Sequence, residues 1–226
     1  MTLQITPMIK PPKLVIFDWD GTLMDSAAEI VRSIKGAAVA AGLPQLEDKV
    51  IRQIIGLGLN EALAVLYPQI TVEHVELMSG HYKRLWRANQ LPQTQSSLFT
   101  GAEEVLDGLH QQGIWMAVAT GKGRRGLDMV LSTSPIAKYF VASRTSDETA
   151  SKPDPLMLKE LLFELNVDVA DAVMVGDTEF DLGMAAAIDM PRIGVSYGVH
   201  SVRQLAAHQP NAIIDDITEL HAALGV

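Results

Sequence analysis

Short, continuous apolar runs recur along the chain at residues 14–17, 114–119, 139–142, 172–175 and 192–195. Runs of this length, apolar at nearly every position instead of every second one, are the pattern of strands buried on both faces. Helical periodicity fills the intervals between the later four, and that alternation predicts a parallel sheet covered by helices. A sixth run at 212–214 reads as a short edge strand, and 217–224 as a closing helix. In such sheets binding groups gather where strands end and loops begin.

The interval after the first run differs. From Ala27 to Ser97 it holds helical periodicity and no convincing strand. Ile30, Val31, Ile34, Ala38 and Ala41 share one face before Gly42 and Pro44 stop the helix, and Val72, Val75, Met78, Tyr82 and Leu85 share a face of another. Such stripes are ordinary bundle core. The polar stretch 92–97 reads as a return linker, which predicts a discontinuous core, 1–25 with 98–226, and an inserted helical domain at 26–97. The expected fold class is α/β: a doubly wound parallel-sheet, Rossmann-like core with an inserted α-helical cap domain. Neither an internal repeat nor a low-complexity tract is visible.

Composition narrows the chemistry. Of 226 residues 48% are hydrophobic and 20% charged, as in a globular protein with a sizeable core. The formal charge of −9 argues against nucleic-acid polymers and anionic membranes as partners. With no cysteine, disulfides, thiolate metal sites and a cysteine nucleophile are excluded. The first residues, MTLQITPMIKPPK, lack the apolar stretch of a secretory signal, and no run approaches the roughly 20 apolar residues of a membrane span, so a cytoplasmic protein is expected.

The first strand runs into Asp18-Trp19-Asp20-Gly21-Thr22-Leu23-Met24-Asp25. Taken alone this is a turn or helix cap, since Asp and Gly are common there. A second acidic loop, Gly176-Asp177-Thr178-Glu179-Phe180-Asp181, follows another apolar strand and alone reads as an acidic helix N-terminus. Together the two change the picture, because carboxylates clustered at converging strand ends repel unless a cation is present. All-oxygen ligation suits Mg²⁺ better than zinc. The histidines, His74, His81, His110, His200, His208 and His221, show no close ligand spacing. Thr120-Gly121-Lys122 ends the second strand with a hydroxyl and amides able to meet an anion. Ser151-Lys152-Pro153-Asp154-Pro155 supplies a lysine that by itself would be a solvated surface residue.

The order DxDGTLxDS, Thr120, Lys152 in KPDP and GDTxxD resembles the haloacid dehalogenase superfamily, and within it the phosphoglycolate phosphatase-like branch with a helical cap of the C1 type. The similarity runs from about Pro12 to Leu224. It implies that Asp18 is the nucleophile forming an aspartyl phosphate and that Asp20 is the acid and base for leaving group and water. It further implies that Mg²⁺ is held by Asp18, the Asp20 backbone carbonyl and Asp177, with Asp181 as ligand or neighbour. Thr120, the Gly121 amide and Lys152 are implied to hold the phosphoryl oxygens, Lys152 also offsetting Asp18. A dehalogenase usually lacks the second aspartate, because a halide leaves without a proton, so Asp20 favours phosphate chemistry. Two positions depart from the pattern: Gly121 stands where the branch often has asparagine, and Asp189 where glycine is common.

The expected activity is therefore Mg²⁺-dependent hydrolysis of a small, phosphoglycolate-like phosphate monoester by a monomer or homodimer. A pyrophosphatase, a sugar phosphomutase and a non-catalytic binding protein are alternatives on the same fold. A dinucleotide-binding protein is a further one, because Gly121-Lys122-Gly123-Arg124-Arg125-Gly126 matches GxGxxG, with Asp147 and Glu148 some twenty residues on. It leaves the five charged residues Asp18, Asp20, Lys152, Asp177 and Asp181 without a shared role. Substrate choice is expected to lie in the cap, with Arg52, Gly56, Leu57, Gly58 and Asn60 as candidates and Lys83, Arg84, Trp86 and Arg87 on the return helix. The basic residues of that helix are equally at home on a solvated face.

Overall fold

The structure is a computed structural model that describes residues 10–88 and 97–226. Six parallel strands form one sheet: β1 (Leu14–Phe17), β2 (Trp115–Thr120), β3 (Phe140–Thr145), β4 (Ala172–Gly176), β5 (Arg192–Val195) and β6 (Ala212–Ile214), in the order β3-β2-β1-β4-β5-β6. The bounds of β1, β5 and β6 coincide with apolar runs. β3 extends past its run through Ser143, Arg144 and Thr145. It lies at the sheet edge and is only partly buried, so polar residues cost it little.

Between β1 and β2 lie α1 (Ala27–Ala40), α2 (Asp48–Arg52), α3 (Leu59–Leu66) and α4 (Val72–Ala88). The rest of the chain adds α5 (Ala102–Gln111), α6 (Arg124–Thr133), α7 (Leu156–Leu165), α8 (Glu179–Ala186), α9 (Val202–Ala206) and α10 (Leu220–Leu224). The expected closing helix starts as a 3₁₀ turn at Ile217–Glu219 and continues as α10. The period-2 alternation of strand side chains divides the core into two layers. Val15, Phe17 and Val118 pack with Leu106 and Leu109 of α5, Leu127 of α6 and Leu220 of α10. On the other side Leu14, Ile16 and Ala119 pack with Leu158 and Leu161 of α7 and Met184 of α8. Helices thus cover both faces, and the sheet is doubly wound.

The helices between β1 and β2 keep a core of their own. Ile30, Val31, Ile34 and Ala38 of α1 meet Ile51 of α2, Leu63 and Leu66 of α3 and Met78 of α4. The stripe expected on α4 is realised at Met78 and partly at Val75 and Tyr82, but Val72 is 77% exposed, because the first turn of α4 extends beyond its partners. The chain leaves and rejoins the sheet along adjacent paths. The Asp25 N–H donates to the Ser97 carbonyl at 2.9 Å and the Phe99 N–H to the Leu23 carbonyl at 3.0 Å. This double crossing lies just beyond β1, which sets the helical segment over the carboxyl ends of the strands. Of the expected linker at 92–97, only Ser97 lies among the described residues.

Candidate active site

The strand order reverses about β1 and β4, and crevices at such points are where open α/β sheets bind ligands. Asp18 follows β1 directly, its N–H donating to the Val175 carbonyl of β4 at 2.9 Å. Asp177 follows β4, and Thr120 is the last residue of β2. All three side chains are buried. Gly21 turns the chain over them with φ of 87°, and a Cβ there would overlap the Asp177 carboxylate, so no other residue fits. Ligand atoms of Asp18, Asp177 and Asp181 all lie within 4.8 Å of one another.

Lys152 is buried beneath this cluster and bridges it, its Nζ lying 2.6 Å from Asp18 Oδ1 and 2.6 Å from Asp181 Oδ1. Asp181 gives its other oxygen to Thr178, whose N–H donates at 3.0 Å and whose hydroxyl donates at 2.6 Å. Thr178 in turn caps α8, accepting the Asp181 N–H. The reading of this loop as a helix cap and its reading as a site residue are therefore both realised in Asp181. Asp177 accepts the Thr22 hydroxyl at 3.1 Å and the Val199 N–H at 2.9 Å.

One ammonium does not balance three carboxylates. Burial pushes the Asp18 carboxyl up to about 7, with the charges of Asp181 and Asp20 acting the same way and Lys152 opposing them. Burial, then Asp18 and Asp181, hold Asp177 well above the usual carboxylate range. For Lys152 burial works against the charged form, but its two carboxylate partners outweigh it and raise the ammonium above its ordinary value. Asp18 Oδ2 is buried with no hydrogen-bond partner. A bare carboxylate oxygen beside surplus buried negative charge, with oxygen donors only, fits a divalent cation such as Mg²⁺.

Asp20 belongs to a different cluster. Its carboxylate lies between Ser26, whose hydroxyl donates at 2.6 Å, and Lys122, whose Nζ lies 2.8 Å from each oxygen. Any part it takes in holding a metal is left to its backbone carbonyl. The Lys122 ammonium also sits 4.7 Å from the centre of the Trp86 ring of α4. Neither Ser26 nor Lys122 was singled out as a partner of Asp20 from sequence. The serine of DxDGTLxDS and the lysine directly after Thr120-Gly121 were the available signals.

Gly121 is one of the points where the helical segment touches the sheet end. A Cβ on it would collide with the carbonyl oxygens of Gly56 and Leu57. The asparagine often found at this position has no room here, which gives that departure a physical reason. Gly56, Leu57, Asn60, Lys83, Trp86 and Arg87 line the cleft with Asp18, Asp20, Thr120 and Gly121. Arg52, Gly58 and Arg84 do not, which corrects the expectation for all three; Gly58 is buried against the core, its N–H donating to Ser151 Oγ at 2.8 Å. Arg52 sits in the last turn of α2, away from the cleft, and Arg84 lies within hydrogen-bonding distance of His81 on an outer face of α4. Around the GxGxxG loop, Asp147 accepts the N–H of Arg124, the first residue of α6, at 2.8 Å, and Arg124 pairs with Glu148 at 2.6 Å. The helix end that a dinucleotide's pyrophosphate needs is thus filled by the chain's own carboxylate, which removes that alternative.

Comparison with known proteins agrees with this geometry. The family profile described as haloacid dehalogenase-like hydrolase matches residues 15–195. The protein named Probable phosphatase IndB from Dickeya dadantii (strain 3937) is 36% identical over 212 residues, covering 93% of this chain and 92% of that protein. A phosphoglycolate phosphatase of Agrobacterium fabrum is 31% identical over 93% of this chain and 91% of its own length. Among solved structures, a hydrolase from Pseudomonas syringae superposes with a TM-score of 0.84 at 25% identity, covering 94% of this chain and 98% of that one.

Proposed function

The chain belongs to the haloacid dehalogenase-like hydrolase family and is a phosphatase of it, and we propose that it cleaves small phosphate monoesters with Mg²⁺ through a phosphoryl group carried on Asp18. The observation that carries this reading is Asp18 itself. One of its oxygens is held by buried Lys152 and the other has no hydrogen-bond partner, so the carboxylate is fixed at the strand end with an oxygen open to the cleft chemistry.

In the first step an Asp18 oxygen bonds to phosphorus as the ester P–O bond breaks, and Asp20 gives the departing alkoxide its proton. In the second step Asp20 takes a proton from water, the water oxygen bonds to phosphorus, and the Asp18 carboxylate leaves. Positioned proton transfer of this kind is worth roughly 10²- to 10⁴-fold. Ser26 and Lys122 hold the Asp20 carboxyl in place for both steps. Lys152 and the Thr120 and Gly121 donors hold the charge of the transferring group. Asp18 and Asp177, with Asp181 beside them, would hold the Mg²⁺, which when bound supplies positive charge against the phosphoryl oxygens.

The helical segment 26–97 acts as the cap, and 1–25 with 98–226 as the catalytic core. Cap contacts at Gly121 exclude water from the reacting atoms. Phosphoglycolate, the substrate in the name of several relatives, is the first ester to try. The test is release of inorganic phosphate with Mg²⁺ and after chelation. Activity that survives full removal of divalent metal would contradict the reading.

A further inference from the structure

The chemistry described above uses only one end of the cleft. The cavity measures about 640 Å³. Its wall is mixed: Lys122, Arg124, Arg125 and Ser146 lie on the sheet side, whereas on the cap side Ile34 of α1, Ile54, Leu57, Leu59 of α3, and Tyr82 and Trp86 of α4 form an apolar face beside Asn60, Lys83 and Arg87. Clefts of roughly 300–1,000 Å³ enclose ligands of drug size. A two-carbon ester would leave most of this one vacant and its apolar wall facing water.

The two less exposed cations of the cleft are already paired. A short phosphorylated acid needs a free inward-facing cation for its second charge. Lys122 is committed to both oxygens of Asp20, and Arg124 to Glu148 and Asp128. Lys83, Arg87 and Arg125 line the cleft at solvent-exposed positions without a carboxylate partner among the described residues, so a second anionic group would have to be met by these exposed side chains.

We propose, resting on the hydrolytic reading above, that the preferred substrate is a phosphate monoester of an alcohol with an apolar, ring-bearing body seated against Leu59, Tyr82 and Trp86. The phosphoryl group lies at Asp18 and the body extends under α4. Discrimination then comes from apolar contact, which separates substrates by an order of magnitude or more when a whole ring is gained.

The test uses the Mg²⁺-loaded protein and three esters: phosphoglycolate, ethyl phosphate and 3-phenylpropyl phosphate. The last two are esters of primary alcohols, so their leaving groups match and only the body differs. The expected result is a kcat/KM for 3-phenylpropyl phosphate about tenfold or more above both others. In Leu59→Ser, a change at a partly exposed position, and in Trp86→Ala, the ratio of 3-phenylpropyl to ethyl phosphate should fall to about threefold or less. Calorimetry with 3-phenylpropylphosphonate and ethylphosphonate, which cannot be hydrolysed, should show the same preference in Kd. Equal or better turnover of phosphoglycolate or ethyl phosphate, or equal phosphonate affinities, would overturn the proposal. Absence of turnover with all three esters would count against hydrolysis, and the phosphonate affinities would still decide whether the apolar body is recognised.

Discussion

Asp18 and Asp20 stand two residues apart and take different parts in the proposed reaction because their neighbours differ. Asp18 meets a buried ammonium and two other carboxylates, and Asp20 meets a serine and Lys122. Asp18→Asn keeps the size of the side chain and removes the proposed nucleophile. Its turnover should fall by about 10⁴-fold or more, with an unchanged circular dichroism spectrum. Lys122→Met should lower kcat by about tenfold to 10²-fold through misplacement of Asp20, while Mg²⁺ affinity measured by calorimetry stays as in the native protein. Lys122→Arg should recover part of the loss, whereas a purely structural lysine would show a matching fall in stability. Asp189 also becomes intelligible at this scale. Its φ of 54° is a left-handed conformation that glycine adopts freely and aspartate tolerates, so its presence in place of glycine alters a turn and not the chemistry.

At the scale of elements, the site depends on the β4–α8 loop and on the Gly56–Leu57 loop that rests on Gly121. Thr178→Ala removes the cap of α8 and the hydroxyl that holds Asp181, so chemical denaturation should show a loss of about 1–2 kcal/mol together with reduced turnover. Gly121→Ala puts a methyl group into the Gly56 and Leu57 carbonyls. It should cost about 1–3 kcal/mol or force the cap loop away, seen as a raised KM. The strands were legible in sequence because each buried one is a continuous apolar run, and Asp18, Thr120 and Asp177 were placed by lying at the ends of such runs. The end of β3 is not legible because an edge strand admits Ser143, Arg144 and Thr145, which carry no apolar signal. The position of Arg52 is not legible because the orientation of a residue on the five-residue helix α2 depends on tertiary packing, which periodicity does not report. The Lys122–Asp20 pair was hidden for the same reason: 102 residues separate its members, and only the sheet brings β1 and β2 together.

For the whole molecule, the net charge of −9 matters mainly where it is buried. Among the described residues no helix is long and apolar enough to cross a membrane. Without metal, Asp18 is raised to about 7, above its value in an unfolded chain. The stability it contributes is therefore full at acid pH and is lost as pH rises through about 7, when the buried carboxyl must ionise. Chelated protein should accordingly show a falling Tm between about pH 4 and 7, levelling off above that. The increase in Tm on adding Mg²⁺ should grow over the same interval, because the cation binds the ionised carboxylates. A metal effect independent of pH would place the ion elsewhere. The claim that Asp18 carries the phosphoryl group is tested most directly by acid-quenching the Mg²⁺-loaded protein during turnover and mapping it by peptide mass spectrometry. A single phosphoryl adduct on Asp18, present with substrate and absent in Asp18→Asn, is the predicted result; steady phosphate release by Asp18→Asn, or an adduct on any other residue, would contradict it.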